Sequence, residues 1–137
     1  PKSLQGLSGK DSITKNLFKV LFDNYQKAGI EVANVHANID VGGYAWARYN
    51  FKMINKGDVT NYIMRAIDRS NINEEKEFLL NFRDAVENHS FAKGGFNINK
   101  WTNSPYAKNA VLNSNWYGEL DFTNKKALKG FLAYLYK

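Results

Sequence analysis

Residues 11 to 37 read DSITKNLFKVLFDNYQKAGIEVANVHA, and two different periodicities meet in them. From Asp11 to Ala28 the apolar residues Ile13, Leu17, Val20, Leu21, Tyr25 and Ala28 recur at the spacing of one helical face. Asp11 or Ser12 can cap the start, because a short polar side chain accepts from the unsatisfied N–H groups of a first turn. Gly29 supplies the stop, since glycine takes the left-handed conformation that ends many helices. Beyond it, Ile30 to Ala37 is enriched in β-branched residues and alternates in polarity, which predicts a short strand. Helix, glycine, strand is a unit of α/β and α+β domains.

Outward from this unit the helical signals dominate. Residues 1 to 10 hold Gly6, Ser8 and Gly9 with little apolar content, and read as a loop or arm. Asn38 to Gly43 reads as a turn, and Tyr44 to Phe51 as a short helix ending near Asn50, although its aromatics fit neither period cleanly. Asp58 caps a predicted helix to about Ser70, with Val59, Tyr62, Ile63, Ala66 and Ile67 on one face. Glu74 and Glu75 open another, to about Asn88, where acidic residues suit the positive end of the helix dipole. The short connection between these two predicts an antiparallel pair. His89 to Asn109 carries Gly94, Gly95, Pro105 and several asparagines, and reads as a long surface connection with one helical turn near Ile98 to Trp101. Asn115 to Phe122 reads as a strand or a sharp bend, and Thr123 caps a final helix bearing Ala127, Leu128, Phe131, Leu132 and Leu135. The expected fold is a helix-rich α+β single domain with a small sheet, residues 11–137 forming the globular body.

Composition bounds the chemistry. In 137 residues the chain has 44% hydrophobic and 23% charged residues, including 9 Phe, 8 Tyr and 3 Trp, enough to build one core. Without cysteine it has no disulfide, no thiol nucleophile and no thiolate metal site. His36 and His89 lie in different segments with no carboxylate at a ligand spacing, so no metal site is expected. No run approaches the roughly 18–20 apolar residues of a membrane span, and the first residues lack the apolar core of a secretory signal. The chain is therefore expected to be intracellular or packaged, with no membrane partner. A net charge of +6 points to an acidic partner such as nucleic acid, phosphate groups or an anionic protein face, or serves only solubility.

Four segments offer chemistry, each with a plainer alternative. The loop LQGLSGKDS precedes a helix N-terminus, where backbone N–H groups, Gly6, Gly9, Lys10 and Ser12 could cradle phosphate; it equally reads as a lead-in with an ordinary cap. In VGGYAWARYNF, Gly42 and Gly43 permit close backbone approach and aromatics cluster around Arg48, a combination able to hold a ligand's edge and ring face; the same rings could simply fill the core. His36 and Asp40 flank that turn and could move a proton, as could Tyr44, although a single His is usually structural. The segment Phe91 to Tyr106 interleaves Lys93, Lys100 and, just beyond, Lys108 with Phe96, Trp101 and Tyr106, a mixture that could stack bases and contact phosphates. Finally, Glu119 and Asp121 beside Gly118 offer paired carboxylates of unfixed separation.

The order of glycine-bearing loop, amphipathic helix, strand and then AWARYNF resembles the second half of a GNAT-type N-acetyltransferase. That resemblance implies acetyl-CoA as cofactor, with its pyrophosphate on the loop and the following helix N-terminus. It also implies a site near Gly42, Gly43 and Arg48 for the acceptor, and Tyr44 or His36 as proton carrier. GGYAWARYNF is similar, more narrowly, to acetyltransferase-like modules in phage head-associated and other polyvalent phage proteins, some ending in W-x-G-x-L-D-x, as Trp116 to Phe122 does. That resemblance narrows the expected setting to the cytoplasm of a host cell or a virion. The family's Q/R-x-x-G-x-G/A becomes Gln5, Ser8 and Lys10 here. In its A-x-x-x-Y-x-x-x-G-F motif, Asn50 replaces the glycine before Phe51, and Trp46 stands where the general-acid tyrosine would be. The family's preceding strands have no counterpart, so a complete acetyltransferase would need another segment or subunit. The alternative expectation is a non-enzymatic virion-associated or binding protein whose basic, aromatic surface holds nucleic acid or a protein partner.

Overall fold

A computed structural model of the protein describes residues 10–37 and 43–137, with side chains from Lys15 onward except Leu17. Helix α1 (Lys10–Lys27) runs into strand β1 (Val32–Ala37), so the opening unit forms as its two periodicities predict. Gly29 sits at φ 71, the left-handed stop, and Ile30 N–H donates back to Tyr25 C=O at 2.9 Å. Helix α2 (Gly43–Arg48) leads to strand β2 (Lys52–Met53), a two-residue element that no periodicity predicts. Then come α3 (Val59–Arg69), α4 (Asn73–Asn88), a 3-10 turn at Phe91–Lys93, α5 (Asn99–Thr102) and α6 (Pro105–Val111). Strand β3 (Trp116–Asp121) and helix α7 (Lys125–Leu135) complete the order.

The strands form one antiparallel sheet in the order β1-β3-β2, with Val32 opposite Asp121 and Lys52 opposite Glu119. The outer strands are thus separated by the last one, and residues 54–115 form a helical excursion between β2 and β3. One face of the sheet is apolar: Ala33, Ala37, Met53, Trp116 and Leu120 are all buried. The other carries Asn34, His36, Tyr117 and Glu119, the alternation of an antiparallel sheet with one solvated side. The fold is accordingly a helix-rich α+β domain.

Against the buried face, α1, α2 and α7 contribute an aromatic cluster. Phe18 lies 4.6 Å from Trp46 and 4.0 Å from Tyr49, centroid to centroid, and Phe22 lies 5.4 Å from Phe131. Offset and edge-on rings of this kind add to simple area burial. The antiparallel pair α3 and α4 forms as expected and is completed by α6, with Ile63, Leu79, Phe82, Val86, Ala110 and Val111 fully buried.

Three local expectations are corrected. The expected helical turn near Ile98 to Trp101 forms as α5, but Pro105–Val111 is helix rather than loop, because Pro105 occupies the first turn of α6, where its missing N–H costs nothing, and Ser104 Oγ accepts from Tyr106 N–H. Asp58 does not cap α3: its carboxylate accepts instead from Asn115 N–H at 2.6 Å and from Asn115 Nδ2 at 3.2 Å, pinning the start of α3 to β3. Asn124, not Thr123, caps α7, accepting from Ala127 N–H at 3.0 Å. Thr123 is instead drawn to Asp121, donating to Oδ1 from its N–H at 2.9 Å and from its hydroxyl at 2.6 Å.

Candidate functional site

Of the residues expected to bind phosphate, Lys10 begins α1 and Ser12 lies in its first turn, while Gly6 and Gly9 fall outside the described residues. Lys10 thereby stands at the positive end of an 18-residue helix. Asp40 and Gly42 also lie outside the described residues.

Gly43 is explained by packing. A Cβ there would lie 2.4 Å from Trp116 Nε1, 2.6 Å from Ser114 Oγ and 2.8 Å from Val111 C=O. Only glycine lets the Trp116 ring press against the first turn of α2. The Trp116 indole N–H, fully buried, has no hydrogen-bond partner among the described residues. The Trp46 indole N–H is likewise buried and unpartnered, its ring set edge-on against Phe51 at 4.9 Å. Each such orphan donor costs about 1–3 kcal/mol unless a ligand or water meets it.

The two proton carriers are not brought together. Tyr44 is half-buried on α2 with Lys108 Nζ 5.4 Å from its ring centre. His36 is exposed on the solvated sheet face, stacked at 4.4 Å and 14° on Tyr117, its cross-strand partner. It borders a shallow groove with Asn55, Asp58 and Asn115, yet both oxygens of Asp58 are taken by Asn115. No carboxylate among the described residues hydrogen-bonds His36, so nothing there fixes its tautomer for catalysis.

Glu119 and Asp121 share one face of β3, a strand and not a turn. The hydroxyl and backbone N–H of Thr123 hold the Asp121 carboxyl below its ordinary pKa, the pattern of a turn rather than of a paired acid and base. On the other side of the molecule, Lys56 does the same to Glu87 through a 3.0 Å ion pair.

The basic, aromatic segment 91–106 is mixed: Lys93 and Lys100 are exposed, while Phe96, Ile98 and Thr102 are buried. Trp101 stacks on Phe82 at 5.2 Å, Phe96 is buried and bridges Met53, and Tyr106 packs towards Phe78. Phe91, Trp101 and Tyr106 stay half-buried, with Lys100 Nζ 5.8 Å from the centre of the Trp101 ring.

The residues that do converge are ones the sequence did not single out, with Arg48 as the exception. Three cations surround the half-buried ring of Tyr134: Arg48 Cζ at 5.1 Å, Lys137 Nζ at 5.7 Å and Lys15 Nζ at 5.9 Å. Lys19 Nζ lies 5.0 Å over the exposed ring of Tyr136. No ion pair among the described residues engages any of these four cations. Between α2, α5 and α7, Arg48, Asn103, Tyr134 and Lys137 border an open groove of about 260 Å³. The sequence signal was faint, because α1, α2 and α7 contribute one or two residues each from distant positions.

A larger depression of about 370 Å³ lies between α3, α4 and α6, but Arg69 and Glu75 give it mixed charge. No three His, Asp or Glu side chains among the described residues gather as metal ligands, and no described helix is long and apolar enough to cross a membrane. Compared with protein-family models, curated proteins and solved structures, the chain has no significant match.

Proposed function

We propose that the protein is an acetyltransferase-like module that binds an acyl-CoA or another phosphate-bearing ligand at the start of α1 without running the tyrosine-dependent transfer reaction. The observation that carries this reading is Asn50. It is the sole non-glycine residue at positive φ among those described, at 72°, and it stands where the resembling motif has glycine before Phe51. Asparagine is the side chain that best tolerates that conformation, so the chain keeps the backbone turn while losing the glycine. The order α1, β1, α2 supports the same reading, as does the placement of Lys10 at a long helix's positive end.

Silence of the transfer reaction follows from the side chains present. Trp46 occupies the position of the general-acid tyrosine, and an indole N–H does not ionise in the range where a phenol donates a proton. Tyr44 lies on α2 and His36 on the solvated face of β1, stacked on Tyr117, and no hydrogen bond joins the two among the described residues. On this reading the module acts in a virion-associated setting, as the sequence's resemblance to phage modules implies.

Calorimetry with acetyl-CoA and CoA tests the proposal. Micromolar binding that Lys10→Glu weakens is the expected result. No heat at millimolar ligand overturns it.

A further inference from the structure

We infer that the groove between α2, α5 and α7 is a second anion site, built to hold the phosphate of one nucleotide unit with its base against Tyr134. The inference does not rest on acyl-CoA binding at α1, because it uses a different set of side chains.

The polar groups facing the groove are donors. Arg48 Nη1 donates to Asn103 Oδ1, and Asn103 Nδ2 remains a donor. Asn99 Nδ2 is spent on Ala47 C=O at 2.9 Å and so buttresses the end of α2 that carries Arg48. Arg48 retains further N–H groups, and Lys137 adds an exposed ammonium. No Asp or Glu side chain among the described residues lines the groove. A site whose side chains donate, under two or three uncompensated positive charges, selects an anion, and guanidinium geometry favours a tetrahedral oxyanion such as phosphate.

The shape adds the second half of the ligand. Gly130 and Ala133 form the part of the groove supplied by α7, so no long side chain fills it. Gly130 is held to glycine by Asn50: a Cβ there would lie 2.5 Å from Asn50 Nδ2. The Tyr134 ring stands at the rim, edge-on to Tyr49 at 4.8 Å and flanked by cations; a base that displaces the exposed Lys137 side chain from the ring can stack there while the ammonium moves to its phosphate. The volume of about 260 Å³ is below the roughly 300–1,000 Å³ of pockets that enclose a drug-sized ligand. One nucleotide fits that scale; an entire coenzyme does not.

A free nucleotide and one unit of a single strand share this chemistry, and the experiment separates them. The protein labelled with ¹⁵N is titrated with adenosine and thymidine monophosphates and, in parallel, with a fluorescent oligothymidylate at two salt concentrations. The expected result is shifts at Arg48, Asn103 and Tyr134 in the first arm, with affinity falling about tenfold in Lys137→Glu and in Tyr134→Leu. Lys76→Glu on α4 leaves binding unchanged. Tighter oligonucleotide binding that weakens steeply with salt identifies a strand as the source, and mononucleotide binding alone identifies a free nucleotide. Lys137 is exposed, so its variant keeps the test interpretable even if Tyr134→Leu loosens the core. If both ligand arms leave the groove signals unmoved at millimolar concentration, or Lys137→Glu binds as wild type, the inference is wrong. Lys10→Glu separates the two sites: it should spare mononucleotide binding while weakening acetyl-CoA.

Discussion

Replacing Asn50 by alanine and by glycine in parallel isolates the backbone conformation on which the acetyltransferase-like reading depends. Asn50 holds φ 72 and donates from Nδ2 to Ala127 C=O at 3.0 Å, tying the turn after α2 to the first turn of α7. Either substitution removes that bond, worth about 1 kcal/mol net. Alanine must also adopt the left-handed region, at about 1–2 kcal/mol, whereas glycine adopts it without steric cost. The sum predicts a loss of about 2–3 kcal/mol for Asn50→Ala. For Asn50→Gly, relief of the residual strain offsets most of the lost bond and leaves about 1 kcal/mol or less. At roughly 3–5 °C per kcal/mol for a domain of this size, the alanine variant melts about 6–15 °C below wild type and the glycine variant within about 5 °C. Thermal unfolding followed by circular dichroism, with urea titration as a check, reads the difference. Equal destabilisation by the two substitutions would refute the reasoning, since it would mean that the side-chain bond alone matters at this position.

Three further outcomes follow from the packing and the charges. Gly43→Ala should cost about 1–3 kcal/mol or more, because its Cβ would meet Trp116 Nε1 at 2.4 Å and the backbone of Val111 at 2.8 Å; denaturant unfolding measures this, and a neutral result would remove Trp116 from the first turn of α2. Leu79→Ala, at a fully buried position facing α3 and α6, should lose about 2–5 kcal/mol by the same assay. Asp121 has its folded pKa depressed by Thr123, so its contribution to stability is present above the ordinary aspartate pKa and is lost as pH falls through the folded value. Thr123→Val should therefore raise the Asp121 pKa towards that of a free aspartate in an NMR titration, and an unmoved pKa would show that the backbone N–H alone sets it.

Long periodic segments carried most of the fold in readable form. In α3, α4 and α7 the expected apolar stripe is the buried one, and β1 and β3 each alternate. In α1 the helix forms as expected, but Phe18 and Phe22 are its buried residues, while Val20 of the expected face is 56% exposed. Where the reading failed, a partner distant in sequence decided the structure. Strand β2 exists because Met53 exchanges bonds with Phe96 at 3.0 and 2.8 Å and its strand pairs with β3; two residues have no period of their own. Asp58 has the sequence context of a cap, but Asn115 competes for its carboxylate and wins. Segment 91–106 looked exposed because it is rich in lysine and asparagine, while its rings point inward onto Phe78 and Phe82. The candidate site divides in the same way. Arg48 was legible beside the aromatics of GGYAWARYNF, but Tyr134, Lys137, Lys15 and Asn103 join it only through the docking of α7 and α5 against α1 and α2.

The central claim, that a phosphate-bearing coenzyme is held at the N-terminal end of α1, is tested most directly by mapping amide shifts of the ¹⁵N-labelled protein during titration with acetyl-CoA. The account predicts saturable shifts at micromolar ligand, largest at the amides of Lys10 to Ser12 and extending to Gly43 and Tyr44. It is contradicted if acetyl-CoA moves no amide in these segments at millimolar concentration, or moves only those bordering the depression between α3, α4 and α6.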